Sequence, residues 1–343
     1  MKHRDLVLEQ IHHRETRPVP YTLDIEDEVA VKLDAHFGNK DWRNQIQNSI
    51  YYAGVVDTMR KDPTDRAGFE RDPFGSIWRV DLRPFHLETP ALASPSFEGF
   101  SWPEPEKFFC GGAAIRQARQ RCDTHKGERF MVAGLGWGFF ETSWGIRGFE
   151  NCLMDCAAEP DFYAELLDRI ANQFTAYLDF TLAELPDVDA ILLGDDWGDQ
   201  RGVLVGAGRW RAMFKPRYAR LYERIHARGK LVMTHCCGSV AEIIPDLIEI
   251  GLDVLESVQP EARGMNPYEL KKRWGDKLTF WGGLGSQSTI PFGTPAQIHA
   301  EVRRLRREMS IGGGYILSCA KALQPETPVG NAVAVLEAFT SGT

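Results

Sequence analysis

The stretch KLVMTHCCGSVAEIIPDLIEIGLDVLESV, residues 230–258, holds the pattern that decides the fold. The apolar run Leu231-Val232-Met233 predicts a strand over 230–236. Residues 239–251 carry apolar side chains at helical spacing, with Ser239 as cap and Gly251 as stop. Residues 252–258, LDVLESV, predict a second strand. Strand, helix and strand on short connections are the unit of a parallel sheet.

The alternation extends in both directions. Further strands are predicted at RFMVAGLG (129–136), DAILLGDD (189–196), LTFWGGL (278–284) and GYILSCA (314–320). Helices are predicted over 161–185, over 209–229 with Pro216 starting or kinking it, and over 294–309 with Thr294 as cap and Pro295 in the first turn. Residues 17–25 (RPVPYTLDI) and 76–82 (SIWRVDL) supply two more strands, and eight close an α/β (β/α)8 TIM barrel. An open nucleotide-binding sheet lacks its phosphate loop, because GGLGSQ (282–287) has neither the lysine nor the glycine spacing. The chain reads as one barrel domain over 1–343. Residues 1–128 form an irregular part covering the barrel or its mouth, and 129–343 carry the clearest repeat.

Composition narrows the function. The 343 residues are 43% hydrophobic and 26% charged, with net charge −8, which disfavours a nucleic-acid partner. The basic run EVRRLRREM (301–309) falls on an amphipathic helix whose charges face solvent. No apolar run approaches the length of a membrane span, and the N-terminus has no leader-like apolar stretch. Seven cysteines in such a chain read as thiols or metal ligands, and the expected location is the cytoplasm. Oligomeric state is not legible.

Barrel chemistry collects at the C-terminal ends of strands. Residues i and i+2 of a strand face the same side, so His235 and Cys237 converge while Cys236 turns away. Cys319 also ends a strand. One imidazole and two thiols are the donor set of an open zinc site, with one exchangeable position. Glu256 on the next strand is the candidate fourth ligand, with Gln259 beside it. In LLGDDWGDQ (192–200), only one of Asp195 and Asp196 is expected to face the pocket. Cys152 and Cys156 share a helix face without a nearby histidine and read as core.

GIRGFENCLMDCAAEP (145–160), LLGDDWGDQRG (192–202), THCCGSVAEIIPDLIEIGLDVLESVQP (234–260), GTPAQIHAEVRR (293–304) and LQPETPVGN (323–331) together resemble the uroporphyrinogen decarboxylase superfamily. The resemblance is to its branch of zinc- and corrinoid-dependent methyltransferases. His235 and Cys237 match the H-x-C motif of that branch. Cys319 stands two residues further from Thr327-Pro328 than the motif has it, and Lys321 takes the aligned place.

The resemblance implies a (β/α)8 barrel and methyl transfer between a small methylated compound (a methyl ether, methylamine or thiol) and a corrinoid, a cobalamin carried by a separate partner protein. Asp196 is then expected to orient substrate or move a proton with Gln200, while Trp197, Trp144 and Gln259 line the substrate pocket. Tetrapyrrole decarboxylation is the alternative, although the arginine-rich R-Q-A-G-R motif of true decarboxylases is not found. A non-catalytic ligand-binding paralogue is another.

Overall fold

The structure, a computed structural model, describes residues 1–341. Residues 230–258 form strand Leu231–His235, a short helix Ile244–Glu249 and strand Val254–Val258. These two strands sit side by side in a seven-stranded sheet. Its members are β1 (Ile50–Ala53), β2 (Phe130–Trp137), β3 (Ala190–Gly194), β4 (Leu231–His235), β5 (Val254–Val258), β6 (Thr279–Leu284) and β7 (Tyr315–Cys319), neighbours in that order. Every pairing is parallel.

The ring closes through residues 20–23. The Thr22 amide donates to the Leu317 carbonyl at 3.0 Å, the Leu317 amide to the Pro20 carbonyl at 3.0 Å, and the Ser49 amide to the Tyr21 carbonyl at 2.9 Å. This segment therefore lies between β7 and the start of β1 as an eighth stave. Pro18 and Pro20 have no amide hydrogen to donate, which keeps its ladder short.

Alternation along the strands fills the barrel. Ile50, Phe130, Val132, Ala190, Met233, Val254, Trp281 and Ile316 point inward as one buried cluster, closed by Val7 and Ile11 of helix His3–Ile11. Their neighbours Met131, Ile191, Val232, Leu255, Phe280 and Leu317 point outward into the core beneath the helices. Both faces of a parallel sheet are thus covered.

Two sequence expectations change. Residues 76–82 do not join the barrel: Ile77–Arg79 belongs to a separate four-stranded antiparallel sheet with Asp62–Pro63, Phe69–Arg71 and His86–Thr89. A tight turn at Asp72–Gly75, with Gly75 at φ 103°, favours local hairpin pairing over a crossover. The missing stave is β1, so residues 1–128 contribute two of the eight. The helix expected over 239–251 shrinks to Ile244–Glu249, because the Ser239 hydroxyl donates to the Arg263 carbonyl rather than capping. Pro216 sits in the first turn of Lys215–Ala227, preceded by a π turn over Trp210–Phe214 that accommodates the proline ring. Helix Pro295–Met309 starts with a capping box between Thr294 and Gln297.

The antiparallel sheet docks on helix Phe139–Arg147, which follows β2: the Ser76 hydroxyl donates to the Gly145 carbonyl at 2.8 Å. It stands at the C-terminal end of the strands. No helix among the described residues is long and apolar enough to cross a membrane.

Candidate metal centre

His235 is the last residue of β4, on the inward phase set by Leu231 and Met233. Cys237 follows two residues later, while Cys236 is fully buried in the outer core. β3 runs alongside, with Gly194 in register with His235, and its extension brings up Asp195 and Asp196. One ligand atom each from Asp196, His235 and Cys237 lies within 4.8 Å of the others, the one such group of three among the described residues. Asp196 Oδ1 is 3.8 Å from His235 Nε2, both Asp196 carboxylate oxygens are 3.6 Å from Cys237 Sγ, and the Cys237 amide donates to Asp196 Oδ1 at 3.2 Å.

The loops that carry these residues pack backbone on backbone. A Cβ added at Gly238 would lie 1.9 Å from the Gly198 carbonyl oxygen, and one at Gly198 would lie 2.4 Å from that of Ser239. The Ser239 amide donates to the Asp199 carbonyl at 2.7 Å. Only glycine permits this approach, which fixes Asp196 against Cys237.

Glu256 lies across the β4–β5 ladder from His235, and its carboxylate accepts from His235 Nδ1. Burial alone would lower the imidazolium pKa. The Glu256 carboxylate overrides that and, with Cys237 and Asp196, raises it well above the ordinary value. The Nε2 is left facing Asp196 and Cys237. A carboxylate that holds the far nitrogen of a ligand histidine fixes its tautomer and ring orientation.

Asp195 and Asp196 divide their roles. Asp195 is fully buried and accepts from the Phe140 and Glu141 amides at 3.0 and 2.9 Å, the Trp197 indole at 2.6 Å and the Tyr218 hydroxyl at 2.5 Å. It ties β3 to the N-terminus of helix Phe139–Arg147, where a carboxylate suits the helix dipole. Burial pushes its pKa up to about 6 against the pull of those donors. Glu141, in the first turn of that helix, was not anticipated. Its carboxylate is 3.9 Å from the position a Gly194 Cβ would take. Burial, then Asp195 and Asp196, push its pKa up to about 8. The available clue was its position, just past a barrel strand, where barrel catalysts gather.

Other expected site residues fall elsewhere. Cys319 does not join the cluster. In β7, Ile316 takes the inward phase, and Ser318 bonds inward to Thr22. Tyr315, Leu317 and Cys319 take the outward phase, and Cys319 is buried beneath the helices. Glu256 is not in the ligand group, since it holds Nδ1. Trp197 does not line a pocket: it is 2% exposed, edge-on to Trp210 and Tyr218, with its indole committed to Asp195. Gln200 meets Gln259 at 3.4 Å in a loop and touches none of the three clustered side chains. Trp144 is half-buried and packs on Trp137 and Trp78.

Beside the cluster the barrel mouth is open inside. Tyr52 stacks on Trp281, the inward-facing indole of β6, yet is 37% exposed. Burial, then Glu256 and Asp24, push its phenol well above the ordinary range. Asp24 is raised by burial and then by Glu256. Asp24 and Tyr52 line a hollow together with Tyr51, Arg121 and His125, and among the described residues none of Asp24, Glu141, Asp196 and Glu256 forms an ion pair with a lysine or arginine.

An α/β barrel with a cluster of ligating side chains at its C-terminal rim defines the class, and comparison with known proteins gives the family. The profile for uroporphyrinogen decarboxylase (URO-D) matches residues 103–341, and the chain belongs to this family. It is similar to the uroporphyrinogen decarboxylases of Nitrosospira multiformis (27% identical over 191 residues, 53% of this chain and 47% of the relative) and Alkalilimnicola ehrlichii (24% over 261 residues, 74% and 67%). The match to the enzyme from Methylobacillus flagellatus is 24% over 194 residues, or 53% and 49%. The chain spans about half the length of the relatives from Nitrosospira and Methylobacillus that it matches. A solved methyltransferase from Methanosarcina mazei shares the fold at TM-score 0.72 and 15% identity, over 99% of this chain and 98% of that one.

Proposed function

We propose that this protein is a methyltransferase that moves a methyl group between a small methylated compound and a corrinoid carried by a separate protein, and that His235, Cys237 and Asp196 hold a zinc ion. The observation that carries the reading is the convergence of imidazole Nε2, thiol and carboxylate at one end of the barrel, with Glu256 on the far nitrogen. Three mixed N, S and O donors with access from a hollow fit zinc with an exchangeable position. When bound, zinc supplies Lewis acidity that turns a thiol into a thiolate near neutral pH or polarises a departing heteroatom.

The chain's own residues do the rest. Glu256 keeps a proton on Nδ1, so Nε2 is the nitrogen that would take the metal, releasing its own proton on binding. Asp195, anchored by four donors, sets the β3 extension that carries Asp196. Glu141 is held as an acid near neutrality, so it can give a proton to a leaving oxygen or nitrogen. Tyr52 and Trp281 wall one side of the hollow with aromatic surface.

The decarboxylase reading is supported by the family profile and by the names of the relatives. The cluster argues against it, because among the described residues neither Asp196 nor Glu256 is paired with a lysine or arginine that would receive a polycarboxylate substrate. Metal analysis of purified protein, with methyl transfer from methylcobalamin to a thiol followed by absorbance, tests the proposal. About one zinc per chain and corrinoid demethylation are expected, both lost in His235→Ala. A zinc-free protein that consumes uroporphyrinogen would overturn it.

A further inference from the structure

Three indoles meet beside the hollow. Trp137, at the end of β2, lies 5.4 Å from Trp144 of helix Phe139–Arg147, and Trp78 of the antiparallel sheet lies 5.9 and 5.7 Å from the two. Trp78 is buried, while Trp137 and Trp144 are half-buried. The corner they form already contains a cation: Lys61 Nζ stands 5.0 Å from the Trp78 ring centroid and 5.8 Å from that of Trp137. Its one hydrogen bond is to the Met59 carbonyl at 2.9 Å, and among the described residues it has no carboxylate within ion-pair distance. Burial lowers its pKa. Asp72, Asp57 and Glu70 act on the ammonium from beyond ion-pair distance, and Asp72 also accepts from the Trp78 indole at 2.8 Å. At contact distance the ammonium meets indole faces, and ring quadrupoles are also how proteins recognise alkylated ammonium groups.

The corner adjoins the metal centre. Glu141 and Trp144 are three residues apart on one helix and so share a face, about 5–6 Å between Cβ atoms. Glu141 in turn feels Asp196 and His235. A molecule a few bonds long can reach from the indoles past Glu141 toward the cluster, where Asp196 and Glu256 favour a positive charge over a negative one.

We propose that Trp78, Trp137 and Trp144 form a box for the alkylated ammonium head of the reactant, with Lys61 filling it until the reactant arrives. The substrate class is therefore a small thiol or methylated donor that carries a quaternary or tertiary ammonium. The box takes its purpose from the methyl-transfer reading, but it binds without the metal.

Calorimetric titration of the full chain with choline, and with its neutral tert-butyl isostere, tests this. Choline binds at least tenfold tighter than the isostere. Lys61→Met removes the competing cation and tightens choline severalfold, while Trp144→Leu weakens it about tenfold. Equal affinity for the two probes overturns the proposal, as does absence of choline binding in Lys61→Met, a variant that leaves the indoles in place. Zinc is measured in the same preparations. Choline binding that persists in zinc-free His235→Ala leaves the box standing apart from the metal centre. Zinc retained with no choline binding removes the box alone.

Discussion

Glu256 accepts from His235 Nδ1 across the β4–β5 ladder, and this leaves Nε2 pointing at Asp196, 3.8 Å away. The histidine is thus oriented from the strand on one side and offered to a ligand group from the strand on the other. The sheet register makes this possible: Gly194, His235 and Glu256 stand level on three consecutive strands. With glycine at the β3 position, no side chain intervenes between the imidazole and the loop that carries Asp196.

Removal of the Glu256 carboxylate frees the imidazole to rotate and to change tautomer while all three ligand atoms remain. Glu256→Gln is expected to weaken zinc roughly 10- to 100-fold without abolishing it. His235→Ala should reduce binding much further. Competition with a chromophoric chelator measures both, and identical loss in the two variants would show Glu256 to be a ligand itself.

Asp195 accepts four hydrogen bonds in a fully buried position. Asp195→Ala strands two amides, an indole and a phenol, and is expected to cost about 3–5 kcal/mol of stability in urea unfolding. Asp195→Asn retains an acceptor oxygen and should cost about 1–2 kcal/mol. A loss below about 1 kcal/mol in the alanine variant would mean that the cap is dispensable.

Much of this was legible in the sequence, and the failures share a physical origin. Six strands of the barrel were readable because each is a continuous apolar run between helical patterns. β1 was missed because IYYA is four residues long and amphipathic, while SIWRV carries stronger strand propensity and spends it on a local hairpin. His235 and Cys237 were legible from period two. The same rule applied to β7 puts Ile316 and Ser318 inward and Cys319 outward, so the phase of a strand must be anchored on its own apolar residues before its last residue is assigned to a site. Asp195 and Asp196 could be divided only by knowing which helix N-terminus needed a cap. Glu141 and the three indoles depend on contacts between segments far apart in sequence, and no local pattern encodes those.

Gly238 tests how tightly the loops define the centre. A methyl group there would lie 1.9 Å from the Gly198 carbonyl oxygen, so the loops must separate. Gly238→Ala is expected to cost about 1–3 kcal/mol and to weaken zinc binding, although it touches no ligand side chain. Normal affinity in this variant would show that Asp196 adapts to loop displacement.

The two adjacent cysteines should differ sharply in reactivity. Cys236 is fully buried, and burial pushes its thiol far above the ordinary range, so it stays protonated and unreachable. Cys237 is half-buried and faces the hollow, and Cys110 is the other half-buried thiol, while the remaining five are buried. Iodoacetamide applied to folded, metal-free protein should therefore modify Cys237 and Cys110 first, as read by peptide mass spectrometry. Zinc should protect Cys237 selectively, since a coordinated sulfur is withheld from the alkylating agent, and leave Cys110 unchanged. Cys236→Ser should keep both the protection and the zinc, whereas Cys237→Ser should lose zinc. Protection of Cys236 in place of Cys237 would place the strand phase one residue off and dismantle the cluster.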